Sequence, residues 1–170
     1  MGGIMLIAFY HYPERKKLWR VLHHKLVCWW THGDYSHCEL VLGQRPRADG
    51  VIEYECASSS FRDGGVRSKW MELPAAKWTI IEIEGDYIYA RAVLDAHRFQ
   101  GYDKLAWLGH LWRPITGSTD KWTCSEFVAY MLNLYESWRY DPATLFAVLV
   151  SHGQIVQLCD AVKNKTPHLA

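Results

Sequence analysis

Residues 123–126 read Thr-Cys-Ser-Glu, and the apolar run FVAYML follows directly. Thr-x-x-Glu ahead of such a run is the capping-box signature. The Thr hydroxyl accepts the amide of the third helical residue, and the Glu carboxylate reaches back to the cap's own N–H. A helix is therefore expected to start at Thr123, and any fold the chain adopts must accommodate that start. Cys124 and Ser125 then fall in the first turn, where unpaired backbone N–H groups and the positive end of the macrodipole favour an anion. A thiolate is such an anion, and cysteines at helix N-termini have lowered pKa values and react as nucleophiles. A free cysteine also packs like a small hydrophobe, so position alone is equally compatible with a buried structural residue.

The rest of the chain alternates strand and helix patterns, as an α+β domain does. Ile4–Tyr10 predicts a buried strand, ended by His-Tyr-Pro. Residues 14–30 carry Leu18, Val21, Leu22, Leu26 and Trp29 at helical spacing with a basic opposite face, which predicts a surface helix. After the loop His32-Gly33-Asp34, Tyr35–Leu42 alternates Ser36, Cys38, Leu40 and Leu42 against His37, Glu39 and Val41, as a strand does. Gly43–Gly50 (GQRPRADG) reads as the turn to a second strand, Val51–Ala57, in an antiparallel hairpin. Ser58–Gly65 is expected as a loop, Trp78–Glu84 as a strand, and Asp86–Phe99 and Tyr102–Leu111 as helices. Residues 113–120 form a loop that delivers the chain to Thr123. The helix from Cys124 has Phe127, Val128, Met131 and Leu134 on one stripe, and Asp141-Pro142 opens a further helix with Asp as N-cap and Pro at its first position. The tail after Cys159 is polar.

A chain of 170 residues fits one domain, residues 1–170, with a core that needs no staples. With 19 basic and 18 acidic residues the net charge is +1, so no global field points to nucleic acid or to an anionic membrane surface. The five cysteines, at 28, 38, 56, 124 and 159, are odd in number, irregularly spaced and without CxxC, which argues against a disulfide framework. No run approaches the ~18 apolar residues of a membrane span. The stretch Ile4–Tyr10 lacks the basic flank and cleavage pattern of a signal peptide. Synthesis in the cytoplasm is the expectation, with delivery by another route if the protein works at the cell envelope.

A thiol nucleophile needs a base, usually His, and that His needs a third group to fix its tautomer and ring orientation. Of the nine histidines, His37 is the one placed centrally in a predicted strand, on the polar face it shares with Glu39. The neighbouring strand has Glu53 and Glu55 on one face. With a hairpin turn centred near Pro46–Arg47, Glu55 falls across from Glu39 and one pair along from His37, so a carboxylate is expected there behind the imidazole. Glu53 is the alternate, and Cys56 replaces both if the register slips in parity.

SHCELVLG, a following strand, the CASSSFRDGGVR loop and, much later, WTCSEFVAYML resemble the circularly permuted papain-like cysteine hydrolases. These are the permuted relatives of the NlpC-type cell-wall endopeptidases and include the YiiX-like proteins. The resemblance runs from about Ile4 to Leu149 and is strongest at YSHCEL and WTCSEFVAY. It implies an antiparallel sheet packed against helices, with the His strand ahead of the Cys helix in the chain. It further implies Cys124 as nucleophile, His37 as general base and acid, and a glutamate on the strand after His37 as third member, Glu55 in preference to Glu53. In NlpC-type chains the comparable stretch reads like I-H-A-S, which would fall on Cys56 before Ala57-Ser58, a poor orienter. Tyr102 matches an aromatic position that helps shape the site. The implied activity is that of a cysteine amidohydrolase or peptidase on a peptide or acyl substrate, with peptidoglycan stem peptides as the candidate and no cofactor or metal. The backbone N–H groups of Cys124 and Ser125 are the natural oxyanion donors.

Three other readings stay open at this level. A thioester-forming acyltransferase or lipid hydrolase of the lecithin-retinol acyltransferase type uses the same Cys and His, although those relatives read N-C-E-H and often carry a membrane anchor. His24, Cys28 and His32 fall at i, i+4 and i+8, so His24 and Cys28 could share a zinc ion, but no CxxC or HExxH accompanies them. A non-catalytic binding module on the same fold is the third, and Arg62–Arg67 could then serve as a basic loop for an acidic ligand.

Overall fold

Alternating burial along the strands sets the frame of the molecule. A computed structural model describes residues 3–11, 18–103 and 120–156. In chain order it contains β1 (Gly3–His11), α1 (Leu18–Thr31), β2 (Tyr35–Pro46), β3 (Ile52–Ser60), β4 (Gly65–Met71), β5 (Trp78–Gly85) and α2 (Tyr87–His97). Then follow β6 (Gly101–Tyr102), β7 (Lys121–Trp122), α3 (Cys124–Met131), a 3-10 turn (Ser137–Arg139), α4 (Pro142–Val150) and β8 (Gln154–Val156). The strands form one mixed sheet in the order β7-β6-β4-β3-β2-β1-β5-β8, antiparallel throughout except where β6 and β7 run parallel. The fold is α+β, and the expected wholly antiparallel sheet is corrected at that one edge.

Met5, Ile7 and Phe9 of β1, Cys38, Leu40 and Leu42 of β2, and Ala57 of β3 point to one face of the sheet. Against them pack Val93 and Leu94 of α2, Phe127, Val128 and Met131 of α3, and Leu145 and Leu149 of α4. Each large side chain buried here contributes about 1.5–3 kcal/mol relative to exposure. The alternate residues Ala8, Val41, Tyr54, Cys56 and Ile80 form a smaller cluster with Leu73 and Trp78 on the other face. Both helix starts read from the sequence are present. Thr123 and Glu126 form a full capping box, and Asp141 caps α4 ahead of Pro142.

Several expectations shift. β2 continues through Gly43–Pro46, which pair with β3, and β3 continues through Ser58–Ser60, which pair with β4, so both expected loops are shorter. The β2–β3 turn is centred near residue 49, with Pro46 opposite Ile52, and the ladder carries an irregularity between Val41 and Gly43. Residues 65–71 form a strand where none was expected. Its first residue must be glycine, since φ at Gly65 is +157° and a Cβ would collide with the Gln100 carbonyl. Tyr102 lies in β6 rather than in a helix; the rest of that helix, residues 104–111, the loop 113–119 and the tail after Cys159 lie outside the described residues. The stripe on α3 ends at Met131, and Leu134 follows the helix but still packs against the core.

Candidate active site

The capping box does what its sequence promised. The Thr123 hydroxyl accepts the Glu126 amide at 3.3 Å, and Glu126 Oε2 accepts the Thr123 N–H at 3.2 Å. The first helical bond takes the Phe127 N–H to the Thr123 carbonyl. Among the described residues this leaves the N–H groups of Cys124 and Ser125 as the two unclaimed donors of the first turn. Cys124 is 5 % exposed and Ser125 is buried.

α3 meets the sheet where β2 and β3 part. Their ladder runs only as far as Leu40 opposite Ala57, and beyond it Ser59 turns its hydroxyl to the Trp122 carbonyl at 2.7 Å. The Cys124 thiol lies beside Cys38 and His37 of β2. Its electrostatic neighbours are the Cys38 side chain and backbone and the His37 ring. The Cys38 hydrogen bond, opposed by burial and joined by the adjacent positive charge of His37, holds the Cys124 thiol well below the usual range. Cys38 is pushed the other way, by its own burial and by the neighbouring Cys124.

His37 Nε2 lies 2.8 Å from Glu39 Oε1, and Cys124 is the other charged neighbour of the ring. Burial pulls the imidazole pKa down, but the charges of Cys124 and Glu39 outweigh it and raise the value to about 9. Glu39 is 1 % exposed, a carboxylate taken almost wholly out of water. Burial alone would raise its pKa; the Arg67 hydrogen bonds and the His37 charge reverse that and hold it at about 2. Arg67 grips both carboxylate oxygens, at 2.6 and 2.5 Å, from two strands away. Lowering the thiol and raising the imidazole both favour a thiolate beside an imidazolium that a carboxylate orients, the arrangement that nucleophilic attack followed by proton delivery needs.

Cys124 and His37 are thus brought together, whereas Glu55 and Glu53 are not brought to either. Glu55 sits opposite Gly43 and is held by both terminal nitrogens of Arg91 at 2.8 and 2.7 Å, which lowers its pKa. Glu53 pairs with Arg45 at 2.8 Å. The carboxylate behind His37 is Glu39, because residues two apart on a strand share a face, and the longer β2 moves Glu55 away. The same-face relation was visible in His-Cys-Glu; Arg67 was hidden because its strand went unrecognised. Tyr102 lies beside Trp122, two residues before Cys124, with its ring edge-on to Phe61 at 5.6 Å. Cys56 is buried in the smaller cluster, on the sheet face that also carries His37 and Glu39, and burial pushes its thiol up.

Of the alternative metal set, Cys28 Sγ lies 3.5 Å from His24 Nε2, but the His32 ring turns to the Trp30 carbonyl. Among the described residues no group of three or more His, Cys, Asp and Glu is arranged to hold a metal ion. No helix among them is long and apolar enough to cross a membrane. Comparisons of the chain with protein-family models, with curated proteins and with solved structures give no match.

Proposed function

We propose that the protein is a cysteine-dependent amidohydrolase or peptidase with Cys124 as nucleophile, His37 as base and acid, and Glu39 as the group that orients His37. The observation that carries this reading is the grouping of Cys124, at the N-terminus of α3, with His37, whose Nε2 is hydrogen-bonded to the buried Glu39. The Cys124 thiolate attacks a carbonyl carbon, and the N–H groups of Cys124 and Ser125 receive the oxyanion. The tetrahedral intermediate collapses as His37 gives its proton to the leaving amine, which leaves a thioester on Cys124. Water, deprotonated by His37, then attacks the thioester; the carboxylic acid departs and the thiolate–imidazolium pair returns. Tyr102 and Phe61 form an aromatic wall for the substrate beside this point.

The order of the elements, His strand before Cys helix, supports a permuted papain-like fold of NlpC type as part of the proposal. Peptide-stem amides of peptidoglycan are the substrate class that the sequence resemblance brings with it. The test uses p-nitrophenyl acetate and muropeptide fragments as probes. The native protein is expected to form an acyl adduct on Cys124 and to release product, and Cys124→Ala to do neither while keeping its melting temperature. Unchanged turnover by Cys124→Ala would sink the reading. Added hydroxylamine separates the runner-up: a hydrolase passes its acyl group mainly to water, an acyltransferase mainly to the amine.

A further inference from the structure

The carboxylate behind His37 is itself held by a chain of charges. Arg67 pairs with Ser58 between β4 and β3, and Glu39 is the residue next to the last β2–β3 pair, Leu40 with Ala57. Ser58 is small and fully buried, so Arg67 passes over it to reach both oxygens of Glu39. On its outer side the Arg67 Nε donates to Asp63 Oδ2 at 2.7 Å, and Lys69 Nζ donates to the same oxygen at 2.9 Å. From Cys124 outward the signs alternate: thiolate, imidazolium, carboxylate, guanidinium, carboxylate, ammonium. A bidentate guanidinium fixes a carboxylate in one plane as no single donor can.

We propose that Arg67 is a positioning residue for the Cys124–His37 pair, fixing Glu39 against His37 Nε2 and setting how tightly the pair holds its proton. The inference rests on the reading above but is tested apart from it. Around the pair the charged and titratable groups are Cys38 and Glu39 of β2, Cys56 of β3, Arg67 and Lys69 of β4, Asp63 of the β3–β4 turn and Cys124 of α3. From β1 and β5 the residues paired at this level are Tyr10 and Trp78, which bring no charge. Deleting the Arg67 charge raises the proton affinity of every group near it, whichever of them carries the proton. Deleting the Asp63 charge does the reverse, more weakly, because Asp63 is partly exposed and one step further out.

The experiment is the pH dependence of iodoacetamide alkylation at Cys124, read by mass spectrometry, which needs no substrate. In Arg67→Gln the whole profile is expected to move to higher pH by about one unit. In Asp63→Asn it moves to lower pH by a few tenths, and Arg67→Lys returns it toward the native position with slower alkylation, since the charge is restored without the fork. If Arg67→Gln does not fold, the opposite-signed shift in Asp63→Asn still decides. Profiles that stay in place while melting temperatures fall would make Arg67 merely structural and overturn the proposal. A Cys124 unreactive already in the native protein would instead overturn the hydrolase reading.

Discussion

Two cysteine–histidine pairs among the described residues have opposite character. Cys28 and His24 lie on α1, with Cys28 in the last turn, where backbone carbonyls face outward. His24 has the hydroxyl of Ser36 on its Nδ1, and burial together with the Asp34 charge pushes the Cys28 thiol up to about 11. Cys124 lies in the first turn of α3, its histidine is backed by an ionised Glu39, and its thiol is pulled down. The residue types match; the helix end and the third group differ. A Cys–His contact thus says little by itself, and reactivity follows from which pole of the helix the sulfur occupies and whether a carboxylate stands behind the ring.

The largest expected effect is a direct contest between the two thiols. At pH 7 a thiol with pKa of about 11 is roughly one ten-thousandth ionised. Cys124 should therefore be alkylated about a thousandfold faster, part of the advantage being returned by the lower intrinsic nucleophilicity of low-pKa thiolates. Exposure works the other way, because Cys28 is the more accessible of the two. Equal labelling in a peptide-mapped time course would erase the distinction.

Next comes the third group. Glu39→Gln gives His37 a neutral partner, as Ser36 is for His24, and also strands Arg67 in a buried site. Turnover should fall about a hundredfold and stability by about 3 kcal/mol, as when one member of a buried ion pair is removed. Glu55→Gln breaks only the outlying pair with Arg91 and should keep turnover within about twofold. If Glu55→Gln is the more damaging, the assignment of the orienter is wrong.

The pH profile sharpens the contrast further. Because the His37 pKa is raised to about 9, the imidazolium persists until that pH, and activity should drop about tenfold per unit above it. The same shift has a consequence for stability. A group whose folded pKa exceeds its ordinary value of 6.5 contributes stability that is complete below that value and lost as pH rises through about 9. Glu39, held at about 2, contributes from above pH 4.5 and is lost only as pH falls through about 2. Both groups are charged between these limits, and urea midpoints measured from pH 5 to 10 should decline only on the alkaline side on their account. A midpoint that is flat from pH 7 to 10 in the native protein, and equally flat in His37→Ala, would refute the link.

How much of this was legible in the sequence depended on the range of the interaction. Local chemistry read well. Thr-x-x-Glu and Asp-Pro each fixed a helix start, because a cap is decided within four residues. Cys124 and His37 were found as residue types in the right kinds of element. What failed was pairing between strands. A turn placed near Pro46–Arg47 instead of residue 49 shifted the register of β3 and put the wrong glutamate behind His37. Residues 58–60, three serines, read as loop because polarity normally means solvent, yet they are buried and paired with β4. Arg67 could not be assigned without that strand order. The charge ladder is a property of topology, and a local pattern does not contain it.

The smallest effect concerns the helix pole itself. Burial pushes the Glu126 carboxyl up to about 7, against the pull of the Thr123 N–H and with help from Asp103. Glutamine can complete the same capping box through its side-chain oxygen, so Glu126→Gln keeps the start of α3 while removing a partly buried charge. Since the folded pKa lies above the ordinary 4.5, ionisation of Glu126 costs stability as pH rises from about 4.5 through about 7. The variant should match the native protein at pH 4.5 and exceed it by about 1 kcal/mol at pH 8, the desolvation gain being offset in part by the lost anion at the helix N-terminus. Thr123→Ala, by contrast, removes the cap at every pH and costs about 1 kcal/mol throughout. A Glu126→Gln effect that is the same at both pH values would mean that the carboxylate acts only as a hydrogen-bond acceptor.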